Sequence, residues 1–291
     1  MFNLTNPSLY TSKRFLNDDR VEVYIPTKDR PECLALLIQS LLFQTHKNWN
    51  LTIIDDSTSG KILTDYEYIK YLLFLLQQFG HEWRVIYGRK KGPHYSHCIA
   101  SNVINCELLL RLDDDLFLMP DVIENLVNSI KINENTGAVG FVILQLENIF
   151  AKLPENWQNE QFFDGKVAND GTTTAGLQTY VHNDGNLKYV EHLYSSFLYR
   201  KSAIINSGGF PENLSIVGHR EETIATYRMF KNGYKIAVDP NAIGYHFKYN
   251  TGGIRETQGK INEQNLWEHD EQIYLNEINR LRELHEQKYK I

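Results

Sequence analysis

The chain has 291 residues, 42% of them hydrophobic and 23% charged, with a formal net charge of −6. This is the balance of an ordinary globular protein, long enough for one large α/β domain or two small ones, and it supplies no overall basic field to draw nucleic acid or anionic lipid. Cys33, Cys98 and Cys106 are odd in number, widely spaced and without a CxxC pair, which argues against a disulfide framework or a thiolate zinc site and for a reducing compartment. The longest apolar stretches, such as Tyr71 to Leu76, fall far short of a membrane span, so a cytoplasmic location is expected, with peripheral membrane contact left open.

In chain order, Val21 to Ile25 is rich in β-formers and is expected to stop at Pro26, since proline cannot extend a central strand. Pro31 to Phe43 carries helical apolar spacing at Leu34, Leu37, Ile38, Leu41 and Leu42. Asn50 to Ile54 gives a second strand ending at Asp55-Asp56, a helix follows from Tyr66 to Phe79, and Val85 to Tyr87 is a third strand. The basic loop Arg89-Lys90-Lys91 leads into a helix over Tyr95 to Ile104. Glu107 to Leu112 is a fourth strand that runs into Asp113-Asp114-Asp115.

Further on, Ala138 to Leu144 and Val190 to Tyr199 read as strands, and Glu155 to Asn186 as long surface loops. Glu221 to Asn232 reads as a helix closed by Gly233. Two short strands, Tyr234 to Val238 and Ala242 to His246, flank Asp239-Pro240. From Gln264 the chain is charged and helical, with Tyr274, Ile278, Leu281 and Leu284 or His285 on one apolar stripe. Alternating strands and helices predict a mainly parallel sheet. The polar clusters Thr27 to Arg30, Asp55-Asp56, Arg89 to Lys91 and Asp113 to Asp115 all follow strands, so they are expected to converge at the carboxyl edge, where open α/β sheets bind ligands.

Three adjacent carboxylates at a strand end repel one another outside bulk water, and a divalent cation is one way to hold them together. Oxygen ligands of this kind suit Mg²⁺ or Mn²⁺ arriving with a phosphorylated substrate. A solvated acidic turn that caps the next helix is the plainer alternative, and the triplet alone does not choose between them.

The order of the pieces resembles the family 2 glycosyltransferases, inverting nucleotide-sugar enzymes of the GT-A fold. Val23 to Arg30 is similar to that family's opening strand and loop, Leu41 to Thr45 to the end of its first helix, and Ile53 to Ser57 to its second strand with paired aspartates. Arg111 to Asp115 falls where the family has its DxD metal motif, Ser207 to Phe210 resembles the turn before the acceptor side, and Glu221-Glu222 sits where it has its catalytic acidic pair. Lys28 stands where an aromatic often lies, Ser101-Asn102 where an Arg-Asn pair is usual, and Glu222 where aspartate is more frequent.

The resemblance implies a Rossmann-like, mostly parallel central sheet flanked by helices, with a C-terminal helical extension. Residues 1–20 would be an N-terminal extension, 21–250 the transferase domain (21–118 for the nucleotide sugar, 119–250 for the acceptor) and 251–291 a helical tail. It implies a sugar moved from a UDP-type donor to a hydroxyl, with Glu222 as general base. Asp115 and His246 would bind Mn²⁺ or Mg²⁺, and Pro26, Thr27, Asp29, Arg30, Asp55, Asp56, Asp113 and Asp114 would bind the donor. Glu221, His219 and Arg220 would lie by the diphosphate or acceptor. The hydroxyl could belong to a glycan, a lipid-linked sugar, a protein or a modified DNA base. A sugar-phosphate nucleotidyltransferase and a non-catalytic carbohydrate-binding or assembly protein are the competing readings; the glycine-free loop Pro26 to Arg30 counts against the first and the intact acidic positions against the second. The tail is expected to pack back on the domain, with a homodimer or a membrane surface as its alternative partners.

Overall fold

The computed structural model describes residues 19–145, 165–173, 185–247, 252–253 and 260–289. Among the described residues nine strands form one mixed sheet in the order β3-β2-β1-β4-β8-β6-β9-β5, with β7 on β9. The strands are β1 (Val21–Thr27), β2 (Trp49–Asp55), β3 (Trp83–Tyr87), β4 (Leu108–Arg111), β5 (Leu116–Leu118), β6 (Thr136–Gln145), β7 (Lys188–Val190), β8 (Phe197–Arg200) and β9 (Lys235–His246). β1 to β4 are mutually parallel and β6 is parallel to β9, whereas β8 is antiparallel to β4 and β6, and β5 and β7 are antiparallel to β9. The helices are α1 (Pro31–Leu42), α2 (Glu67–Gln78), α3 (Pro93–Val103), α4 (Val122–Lys131), α5 (Lys201–Asn206), α6 (Glu221–Lys231) and α7 (Lys260–Tyr289).

One face of the sheet buries Val23, Ile25, Leu51, Ile53, Leu110 and Phe141 with α1, α2 and α4; the other buries Tyr24, Leu109, Tyr199 and Val238 with α3, α5 and α6. Successive side chains of a strand point to opposite faces, which is why neighbours such as Val23 and Tyr24 belong to different cores. A third, smaller core joins α7 to α6 through Tyr274, Ile278, Ile224, Tyr227 and Leu214. The tail therefore packs back on the domain. Leu281 continues its stripe, and past it Leu284 is half exposed while His285 is partly buried.

Three boundaries differ from expectation, each for a local reason. β1 runs through Pro26 to Thr27, because β4 pairs with it only as far as Tyr24; beyond that point one edge of β1 has no ladder, and a missing N–H there costs nothing. The stretch 190–199 divides into β7 and β8, which pair with different partners. β9 is a single strand through Asp239-Pro240: its pairing to β6 passes from Asp239 to Ile243, so Pro240 sits in a bulge. Asp239 secures that bulge by accepting from Asn241 N at 2.9 Å and Ser129 Oγ at 2.6 Å. β5, α4 and α5 lie where no element was expected, although Val122, Ile123, Leu126, Val127 and Ile130 carry helical spacing. Among the described residues no helix is long and apolar enough to cross a membrane.

Candidate active site

A cleft of about 560 Å³ opens where β1 and β4 part company. Past Tyr24, β1 continues to Pro26, Thr27, Lys28 and Arg30, while β4 ends at Arg111 and turns into the acidic triplet; all of these line the cleft. The same cleft is lined by Asp56, Ser96, His97, Tyr194, Ser195, His219 to Glu222, His246 and Trp267. Glu222 and the three aspartates, far apart in sequence, thus share one cavity.

The triplet is tied from several directions. Thr27 Oγ1 donates to Asp114 Oδ2 at 2.8 Å, and Arg30 Nη1 lies 3.3 Å from Asp114 Oδ1 and 3.1 Å from Asp115 Oδ2. His246 Nε2 is 3.1 Å from Asp115 Oδ1. Burial raises the Asp114 carboxyl, and the adjacent Asp115 charge adds to this. Burial works the same way on Asp115, but the His246 hydrogen bond and the His246 and Arg30 charges together outweigh it and hold that carboxyl below its usual range. Asp115 and His246 converge as an oxygen and an imidazole nitrogen, a donor set suited to a borderline divalent cation. Among the described residues no group of three or more His, Cys, Asp or Glu is arranged to hold a metal.

The second carboxylate pair stands on the first turn of α6. The residue before it, Arg220, has φ of 70°, a left-handed conformation unusual for a non-glycine. It is held there by Glu271 Oε2, which accepts from Nε at 3.0 Å, and by Thr173 Oγ1, which accepts from Nη1 at 2.7 Å. Glu221 is buried against Arg111, whose Nη2 donates to Glu221 Oε1 at 2.8 Å and to Asp113 Oδ1 at 3.3 Å. Burial raises both glutamate carboxyls. For Glu222 the neighbouring Glu221 adds to the effect and brings it to about 8, against the opposing pull of Arg111. His97 Nε2 is 3.4 Å from Glu221 Oε1 without hydrogen-bond alignment, and burial next to Arg111 keeps that imidazole neutral. Arg111 is itself buried, with Nε and Nη1 lacking a hydrogen-bond partner among the described residues.

Of the residues singled out in the sequence, Pro26, Thr27, Arg30, Asp56, Asp113, Asp114, Asp115, His219, Arg220, Glu221, Glu222 and His246 are brought together. Asp29 and Asp55 are not among the cleft-lining residues. The Asp29 carboxylate accepts from Thr58 N, Thr58 Oγ1 and Ser59 N, and Asp55 Oδ1 accepts from Ser57 N; both shape the loop after β2. Asp56 accepts from Lys90 N at 2.9 Å, directly over Gly88, where a Cβ would come within 1.8 Å of Asp56 Oδ1. Arg89 to Lys91 are not among the cleft-lining residues, and Lys90 meets Asp56 through its backbone N–H. Trp157, Phe162, Phe163 and Tyr180, aromatics of the loop-rich middle, lie outside the described residues. Tyr194 lines the cleft.

Arg111 and Trp267 were not anticipated. A charge inside the apolar run Leu108 to Leu112 was a signal for the first, because an arginine is buried in a strand only when paired. The second stands on α7, and nothing in its local sequence separates it from a packing residue.

The family model described as "Glycosyl transferase family 2" matches residues 22–208. Over 51 residues, 18% of the chain, the sequence is 41% identical to a Rickettsia conorii protein described as an uncharacterized glycosyltransferase, of which it spans 8%. Among solved structures, S. aureus TarS 1-349 in complex with UDP-GlcNAc superposes with a TM-score of 0.58 at 15% identity, covering 86% of this chain and 64% of that one. GalNAc-T7 with UDP, GalNAc and Mn²⁺ gives 0.57 at 14% identity, covering 78% and 44%. The mannosyltransferase PcManGT from Pyrobaculum calidifontis, in complex with GDP-Man and Mn²⁺, gives 0.55 at 13%, covering 79% and 57%. The chain thus spans less than two thirds of each of these proteins, and at such identities the likeness is one of fold.

Proposed function

The chain belongs to glycosyl transferase family 2, and from that premise we propose that it is a metal-dependent inverting transferase that moves a hexose-type sugar from a UDP-type donor to a hydroxyl acceptor. The observation that carries this reading is the shared cavity: a glutamate of raised proton affinity, Glu222, opens on the same cleft as the acidic triplet and His246.

Each requirement of the transfer has a candidate. A base must take the acceptor's proton as the new bond to the anomeric carbon forms; Glu222 serves, with Arg111 fixing Glu221 beside it. Asp115 and His246 would hold a divalent cation, Mn²⁺ or Mg²⁺, which when bound supplies positive charge at the departing diphosphate. Arg30 adds a fixed cation at the same carboxylates. Asp56, half enclosed by the Lys90 backbone and Ser96, would accept from a ring N–H of the donor base. Support for a nucleotide-sugar donor also comes from the solved relatives bound to UDP-GlcNAc, UDP or GDP-Man.

The test is a screen of nucleotide sugars for thermal stabilisation with and without Mn²⁺, since a ligand that binds only the folded state raises Tm by mass action. A UDP-sugar is expected to stabilise the protein only with the cation, and Asp115→Ala to remove that dependence. Cation-independent binding, or full transfer by Glu222→Ala, would overturn the assignment.

A further inference from the structure

Helix α7 does more than cover the domain. Its inward stripe is Trp267, Asp270, Tyr274, Ile278 and Leu281, at helical spacing. Asp270, Tyr274 and Ile278 are fully buried, whereas Trp267, about a turn earlier, stands at the cleft with its ring 4.1 Å from that of His219 and tilted by 40°.

His219 is fixed from behind. Asp270 Oδ1 accepts from Ser215 N at 2.6 Å, and its Oδ2 accepts from Ser215 Oγ at 2.8 Å and His219 N at 2.9 Å. Glu271 Oε2 lies 3.1 Å from His219 Nε2 and accepts from Arg220 Nε. The loop that carries His219 and leads to Glu222 is therefore clamped to α7 before any ligand arrives. Neither ring is required by the proposed donor chemistry, in which cations and carboxylates act, and Glu271 lies against both His219 and Arg220. The Trp267 and His219 rings thus line the cleft together, beside the candidate base.

We propose that the Trp267–His219 pair is a subsite for the pyranose ring of a saccharide acceptor, the C–H face of the sugar lying on the rings and a hydroxyl reaching Glu222. The inference rests on the transfer reading of Glu222 but not on the identity of the donor. A serine or threonine side chain offers no face to stack. A lipid-linked phosphate would call for an unmatched cation at this place, and Arg220 is already paired with Glu271. A flat, polarisable ring beside polar groups fits a ligand with an apolar face and a polar rim.

The test is ¹⁹F NMR of the full chain labelled with 5-fluorotryptophan, which reports four tryptophans. The Trp267 resonance is assigned with Trp267→Phe. The probes are methyl glycosides and short oligosaccharides of neutral hexoses and N-acetylhexosamines, run in parallel with uridine, UDP and a Ser/Thr peptide. At least one saccharide is expected to shift the Trp267 resonance saturably; in calorimetry with that saccharide, Trp267→Ala is expected to weaken binding about tenfold and Trp267→Phe to retain most of it. The proposal is overturned if no saccharide of the panel moves the resonance, if Trp267→Ala binds saccharide as tightly as the parent, or if uridine or UDP alone moves it, which would give the rings to the donor base. Urea unfolding of each variant verifies that the fold persists. Failure of the nucleotide-sugar screen would remove the donor reading and leave this titration standing, so the two fail separately.

Discussion

Two carboxylate clusters share the cleft and are held in opposite ways. At the strand ends, Asp114 and Asp115 are met by Arg30, Thr27 and His246; at the start of α6, Glu221 and Glu222 have Arg111 as their only paired cation among the described residues. Both clusters are largely buried, and burial raises Asp114 as well as the two glutamates; Asp115, met by both Arg30 and His246, falls below its usual range, whereas Glu222 rises to about 8. A group that keeps its negative charge can grip a cation, and one that readily takes a proton can serve as a base. Under the proposed function, the same residue chemistry would be divided into two tasks by what surrounds it.

The sharpest way to break this division is at Glu222. Glu222→Gln keeps the shape and removes the base, so sugar transfer is expected to fall about 10²- to 10⁴-fold, with donor-dependent thermal stabilisation unchanged. In the parent, kcat/KM should decline as pH drops through about 8, because the base works unprotonated. Stability carries the reverse sign: a carboxyl raised in the folded state favours folding fully below its ordinary value near 4.5, and that contribution is lost as pH rises through about 8. Glu222→Gln should flatten this slope in urea titrations.

Removing the single cation of the second cluster comes next. Arg111→Met leaves Glu221 and Asp113 without their partner, a loss of about 3–5 kcal/mol in urea unfolding at neutral pH, and the double variant with Glu221→Gln should recover much of it. Gly88→Ala acts on the donor side. Its Cβ would displace the Asp56 carboxylate, so UDP affinity should drop about tenfold in calorimetry while saccharide binding holds. The smallest effect is expected at Glu271, which the His219 hydrogen bond, together with Arg220, lowers to about 2 against the effect of burial. Glu271→Gln should cost no more than about 1 kcal/mol above pH 4.5, because the pair is partly solvent-screened, and the difference should fade as pH falls toward about 2.

Much of the donor-side geometry was legible because local rules govern it. Apolar runs that end in polar clusters give strands with functional tips, and parallel connection brings the tips of β1, β2 and β4 to one edge. What could not be read depends on contacts distant in sequence. Pro26 stays in β1 only because β4 departs at Arg111, and Pro240 stays in β9 only because β6 tolerates a bulge opposite it. Asp29 and Asp55 have the same appearance in sequence as Asp56, but the loop 57–59 occupies their oxygens. Trp267 could be placed in the cleft only by knowing that Asp270 docks on Ser215, a contact across 55 positions.

That last contact bears on how the protein is made. Ser215 and His219 leave the ribosome well before α7, so the sheet and the acidic strand tips can assemble while the turn ahead of Glu222 still lacks the three hydrogen bonds that Asp270 provides. Its final shape waits for α7 to be translated and docked. That turn is then the last wall of the cleft to be set, and a nascent chain halted before α7 would carry the acidic strand tips without a fixed approach to Glu222.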